Sequence, residues 1–148
     1  MPLEVICKAF NELTTLQMYE MLRLRSEVFV VEQNCVFLDM DNKDQECYHL
    51  LLYKDGVLEA CARLVPPGVS YPQMSIGRIV TSPATRGTGL GKTLVATAIA
   101  ECYRLFGEGP IQIGAQLYAK GFYEAFGFVQ TGEVYDEDGI DHIHMIKP

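Results

Sequence analysis

A chain of 148 residues falls within the ~100–200 residues of one domain, and 49% hydrophobic with 21% charged residues excludes a disordered polymer. The formal net charge of -7, from 19 acidic against 12 basic residues, argues against a nucleic-acid binder, whose affinity rests on Lys and Arg neutralising phosphates. Cys7, Cys35, Cys47, Cys61 and Cys102 form no CxxC pair, which favours reduced, largely buried thiols in a cytoplasmic protein over a disulfide framework or zinc site.

The N-terminus shows no basic-then-apolar leader, and the apolar run Leu94–Ala100, broken by Thr97, is too short to span a bilayer. The expectation is a single domain over 1–148, cytoplasmic and independent of membranes.

"LEVICKAF" alternates loosely enough for a first strand. "TTLQMYEMLRLRSEVFVVEQ" then reads as a helix opened by a Thr14–Gln17 capping box, with Leu16, Tyr19 and Leu22 on its apolar face. The acidic "DMDNKDQE" is a loop. It resembles a calcium loop but fails as one, with Asp44 where glycine is needed and Leu50 where glutamate is needed. "CYHLLLYKDGVLEACARLV" predicts a hairpin turning at Asp55-Gly56. "MSIGRIVTS" is a further strand, stopped by Pro83.

From Gly89 the apolar period changes to that of a helix, with Leu90, Leu94, Val95, Ala98, Ile99, Cys102 and Phe106 on one face and Gly107 as its cap. "PIQIGAQ" predicts a strand and "YAKGFYEAFG" a short helix. "FVQTGEVYDEDGIDHIHMI" predicts two strands joined by an acidic turn. The order β-α-(α)-β-β-β-α-β-α-β-β describes a mixed α/β (α+β) domain, antiparallel early, with a strand-loop-helix unit in its middle.

That unit contains "RGTGLGKT", Arg86–Thr93. A glycine-rich turn between a strand and a helix N-terminus is a phosphate site, because the first N–H groups of the helix lack partners and its dipole favours an anion. A Walker loop requires glycine where Arg86 stands, and a GxGxxG fingerprint requires glycine where Lys92 stands. Both nucleotide readings fail. The pattern (Q/R)xxGxG is met by Arg86, Gly89 and Gly91.

This pattern resembles the pyrophosphate signature of the GNAT superfamily of acyl-CoA-dependent N-acyltransferases. "AQLYAKGFYEAFGF" is similar to that superfamily's downstream segment, and "LRLRSEVFVVEQNC", "IGRIVTS" and "EVYDEDGIDHIHM" resemble its ElaA-like branch. The resemblance implies a GNAT-like single domain with a central mixed, mostly antiparallel sheet flanked by helices. It implies acetyl-CoA as cosubstrate, its pyrophosphate cradled by the backbone N–H groups of Gly87, Thr88, Gly89, Leu90, Gly91 and Lys92, with Arg86 lending charge or bracing the turn. Ile79, Val80 and Thr81 would pair with its pantetheine arm and Gln116 would lie near its adenine-side arm. Tyr123 would be both a cofactor contact and the general acid, since a phenol near pKa ~10 can protonate a leaving thiolate.

Strand 75–81 lacks the carboxylate that many superfamily members use as base, carrying Ser75, Gly77 and Arg78 instead. Glu32 and His49 are the substitutes, directly or through a water, although each reads more readily as structural than as catalytic. His142 and His144 alternate on one side of the last strand, but no third metal ligand is evident, so no metal is expected.

The implied reaction is direct transfer of an acetyl group to a primary amine of a small molecule or peptide in a ternary complex. Glu32, Asp39–Asp44 and Asp136–Asp138 are the acids that could attract a cationic acceptor. A homodimer follows by family analogy. The alternative is a non-catalytic acyl-CoA-binding or regulatory module with the same fold.

Overall fold

The structure is a computed structural model and describes residues 3–148; Met1 and Pro2, included in the expected domain, lie outside the described residues. Seven strands form one sheet in the order β1-β2-β3-β4-β5-β7-β6. They are β1 Leu3–Ala9, β2 Tyr48–Lys54, β3 Val57–Val65, β4 Met74–Thr81, β5 Ile111–Gln116, β6 Val129–Glu137 and β7 Ile140–Lys147. The helices are α1 Thr15–Arg25, α2 Leu90–Phe106 and α3 Lys120–Glu124. Every strand pair is antiparallel except β4–β5, the pair that the crossover helix α2 connects.

Local chemistry sets the hairpins. Asp55 and Gly56 both take positive φ, 54° and 77°, as a two-residue turn between right-twisted strands requires. Asp138 and Gly139 repeat this arrangement between β6 and β7, at 54° and 82°. The capping box expected at Thr14 is formed: Gln17 N–H donates to Thr14 Oγ1 at 3.1 Å and Thr14 N–H to Gln17 Oε1 at 3.0 Å.

The two sheet faces are covered unequally. On one face Leu50, Leu52, Ala62, Leu64, Ile76, Ile113, Ile143 and Met145 meet the Leu94–Ala98–Cys102 side of α2, the side its periodicity predicts. On the other, α1 covers only the β2–β4 side, where Met21, Leu24 and Val28 pack on Leu51, Cys61 and Val80. The β5–β7–β6 part of that face carries the cleft described below.

The first helix differs from expectation in its face and its end. Leu16 and Tyr19, expected inward, are 66% and 68% exposed, and the buried positions are Met21, Leu24, Arg25 and Val28. These four follow helical spacing, but an arginine among them hid the stripe from a hydrophobicity reading. The α-helix stops at Arg25 and continues as a π-helical turn over Ser26–Glu32, with bonds from Gln33 N to Val28 O and from Cys35 N to Val30 O.

Candidate active site

β4 and β5 pair only at Met74–Ile111 and Ser75–Gln112, and then part. A bulge reinforces the separation: Cys61 pairs with Val80 and Arg63 with Gly77, so two β4 residues, Arg78 and Ile79, lie opposite Ala62 alone. Arg78 takes φ 48°, an unusual backbone for a non-glycine residue, and the bulge turns its side chain toward Asp39. Within the bulge Ile79 packs on the α2 side, and the following Val80 packs on the α1 side. The gap opens into a cleft of about 1110 Å³ lined by Ile79, Val80, Thr81, Arg86, Gln116 and Tyr123 among others. This exceeds the ~300–1,000 Å³ of a typical single-ligand pocket, leaving room for two substrates.

The glycine-rich loop lies at the C-terminal end of β4. Gly89 is the N-cap of α2 at φ 84°, ψ 4°, and no side chain caps the first turn of that helix. A side chain at Gly89 would be strained by this left-handed backbone even though the space around it is open. The first N–H groups of α2 therefore remain available for an anion.

Arg86 does not point its charge outward freely. Its two terminal nitrogens hold Glu32 at 2.6 Å each, and one of them reaches Thr81 O at 3.4 Å. The hydrogen bonds from Arg86 hold the Glu32 carboxyl below its usual pKa, which weakens it as a base. Glu32 and Arg86 both line the cleft.

Tyr123 is half-buried between Phe122 and Phe128, with ring centroids 5.2 and 6.0 Å away. Burial pushes its phenol up to about 12, so it stays protonated at neutral pH. Gln116 Nε2 lies 3.4 Å from Gln33 Oε1, tying the end of β5 to the π-turn. Lys92 is exposed and borders a second, apolar depression with Phe122 and Phe126.

The acidic loop has a different role from the one its composition proposes. Arg25, only 1% exposed, donates to Asp39 at 2.9 Å and to Asp44 at 2.9 and 3.2 Å. Arg63 binds Asp41 at 2.8 and 3.0 Å and Asp44 at 3.1 Å, while Arg78 binds Asp39 at 2.8 Å and Asp41 at 3.4 Å. Three guanidinium groups thus neutralise Asp39, Asp41 and Asp44, the part of the expected cation-attracting acids that lies in this loop. Burial alone would raise the Asp44 carboxyl, yet Arg25 and Arg63 outweigh it and hold its pKa below the usual range. The network pins loop 39–46 over the sheet and was not visible in the sequence, where its arginines lie on three different elements.

His49 is fully buried, with Nε2 2.9 Å from Asp44 O, and it does not line the cleft. Burial pushes its pKa down. Among the described residues no group of three or more His, Cys, Asp or Glu side chains could hold a metal ion, and all five cysteines are free.

A family model described as "Acetyltransferase (GNAT) domain" matches residues 19–148. The chain belongs to the GNAT acetyltransferase family. Its fold superposes on an acyl-CoA N-acyltransferase from Pseudomonas aeruginosa with a TM-score of 0.95 and 40% identity, covering 99% of this chain and 100% of that one. The ElaA structure of Escherichia coli matches with a TM-score of 0.93 and 36% identity over 99% and 100% of the two chains. A UPF0039 protein of Synechocystis is 46% identical over 138 residues, 93% of this chain and 90% of its own length. The ElaA-like resemblance is therefore borne out.

The GNAT family's acyl-CoA cosubstrate is compatible with the residues present. An uncapped helix N-terminus with Gly89 in the left-handed region suits a pyrophosphate, and the parted β4 and β5 leave a slot between them. Sequence reasoning missed Tyr71 and Tyr135 on the far wall of the GNAT cleft, whereas Glu137 and Asp138, which also line it, belong to the acidic turn Asp136–Asp138 named from the sequence. The alternation of His142 with His144 was a second hint of that wall.

Proposed function

We propose that this GNAT protein is an N-acetyltransferase that moves an acetyl group from acetyl-CoA directly to a primary amine of a small molecule or peptide, within one ternary complex in the cytoplasm. The observation that carries this reading is the parted β4–β5 pair, which opens a two-substrate cleft directly beside the uncapped N-terminus of α2. Acetyl-CoA supplies an activated acyl thioester when bound. The N–H groups of Gly87–Lys92 hold its pyrophosphate, and Ile79, Val80 and Thr81 provide the strand edge for its pantetheine arm. Gln116 borders the arm from β5.

Tyr123 is assigned as the general acid. Its protonated phenol sits in the cleft wall among packed aromatics, which restrict its position. Glu32, the acid picked from the sequence, is assigned to bracing Arg86 against the end of β4. In this role it keeps the loop in shape for the pyrophosphate.

Thiol release from acetyl-CoA with a panel of primary amines, peptides and polyamines tests the proposal. Amine-dependent release is expected; binding of coenzyme A with no release for any amine would instead favour an acyl-CoA-binding module.

A further inference from the structure

The cationic side chains lining the cleft are Lys43, Arg63, Arg78 and Arg86. The three arginines are neutralised in place. Arg63 pairs with Asp41 and Asp44, Arg78 with Asp39 and Asp41, and Arg86 with Glu32. Lys43 differs from them. Among the described residues its ammonium pairs with no carboxylate, and its side-chain hydrogen bond goes to the Ser70 hydroxyl at 3.3 Å. Lys43 and Ser70 are both half-buried.

The backbone holds both residues. Lys43 N–H donates to Asp41 Oδ1 at 3.1 Å, and the Lys43 carbonyl oxygen accepts from Cys47 Sγ at 3.1 Å. Lys43 is thereby anchored to the arginine–aspartate network that pins loop 39–46. Ser70 sits in a turn closed by Gly68 N–H donating to Tyr71 O at 2.7 Å. An ammonium has three donors and no acceptor, whereas a hydroxyl has one donor and two lone pairs. Nζ spends one proton on Ser70 Oγ, which cannot donate back to it. Two ammonium protons and the Ser70 hydroxyl proton are then left without a partner among the described residues.

The neighbouring acids do not cancel this charge. Burial would raise the Asp41 carboxyl, but Arg63 and Arg78 outweigh it and hold its pKa below the usual range. Arg25, Arg63 and Arg78 balance Asp39, Asp41 and Asp44, so the network is neutral as a unit. Glu137 and Asp138 also line the cleft, but they are exposed on the β6–β7 turn, where solvent and salt screen them. Lys43 is thus the uncompensated cation of the cleft wall.

We propose that Lys43 and Ser70 form a carboxylate subsite for the acetyl acceptor, which is therefore an amine that also carries a free carboxylate, as an amino acid does. The inference rests on the N-acetyltransferase reading and names its acceptor class. One uncompensated positive charge matches one carboxylate, whereas a phosphate dianion would leave a negative charge unpaired. The three free protons serve the two carboxylate oxygens, and charge-assisted bonds of this kind are about twice as strong as neutral ones. The amine end of the acceptor lies in the rest of the cleft, which Tyr123 also lines.

Matched acceptors test this. Thiol release from acetyl-CoA is measured with glycine, 4-aminobutyrate, 6-aminohexanoate and phenylalanine, each against its primary amide, with kcat/KM referred to the free amine. At least one carboxylate should be preferred over its amide by about tenfold or more in the parent. That ratio should fall to about one in Lys43→Gln, invert in Lys43→Glu, and drop about threefold in Ser70→Ala. Each ratio is taken on one preparation, so a loss of folded protein cannot produce the change. A parent that prefers no carboxylate would overturn the proposal, as would a preference kept in Lys43→Gln. If the parent releases no thiol with any amine, the acetyltransferase reading fails, and NMR decides the subsite alone. The Ser70 amide resonance is then followed in the coenzyme A complex while 6-aminohexanoate or its amide is added. A saturable shift with the carboxylate only supports the subsite; equal responses to the two, or none, overturn it.

Discussion

Replacing Arg25 with methionine should destabilise the protein far more than its surface charges would suggest. Methionine keeps most of the side-chain volume, so the buried site stays largely filled while the charge is removed. What is lost is one guanidinium making four hydrogen bonds to Asp39 and Asp44 at 2.9–3.4 Å, from a site 1% exposed. Asp39 then keeps Arg78 and Asp44 keeps Arg63, so two cations face three carboxylates. Breaking a buried pair in this way costs about 3–5 kcal/mol, because one carboxylate remains desolvated without compensation. At ~2–4 °C per kcal/mol for a chain of this size, the melting temperature should fall by about 6–20 °C.

The pH dependence gives the effect a signature. The folded pKa of Asp44 is depressed in the parent, so its contribution is present above the unfolded value of about 3.9 and is lost as pH falls below it. In the variant the uncompensated carboxylate can take up a proton instead. The stability difference should therefore be largest near neutral pH and shrink as pH falls toward the carboxylate range. Urea denaturation of both proteins at several pH values measures it. A loss below about 1 kcal/mol at pH 7, or a difference independent of pH, would refute the network's role.

Gly89→Val should weaken coenzyme A binding about tenfold or more, since a β-branched residue at φ 84° costs of order 1–3 kcal/mol and the loop can escape the strain only by changing shape; isothermal titration calorimetry checks it, and unchanged affinity would contradict the loop assignment. Tyr123→Phe should lower kcat by about 10²-fold with coenzyme A affinity intact, and an unaltered rate would remove its acid role. Glu32→Gln should raise the KM for acetyl-CoA by releasing Arg86, while the pH profile of kcat stays the same; a lost acid limb would return Glu32 to the role of base.

Legibility in the sequence followed the range of the interactions. The hairpin at Asp55-Gly56, the Thr14 capping box and the α2 face are determined within a few residues, and all three were predicted from local patterns. The glycine-rich loop was legible because its chemistry is carried by backbone and by contiguous glycines. The Arg25–Asp39–Asp44–Arg63–Asp41–Arg78 network was not, since it joins α1, two strands and a loop that composition alone describes as acidic and solvated. The same long-range closure turned α1, burying Arg25 and leaving Leu16 and Tyr19 in solvent. The wall formed by Tyr71, Tyr135, Glu137 and His142 depends on the β6–β7 register and on a loop more than forty positions before β5 ends, which no local period encodes.

A crystal structure with coenzyme A bound tests the central claim most directly. The account predicts the pyrophosphate on the N–H groups of Gly87–Lys92 and the pantetheine arm in the slot between β4 and β5, with its thiol end toward Tyr123. A pyrophosphate seated elsewhere, or a slot left empty while coenzyme A binds another surface, would contradict it.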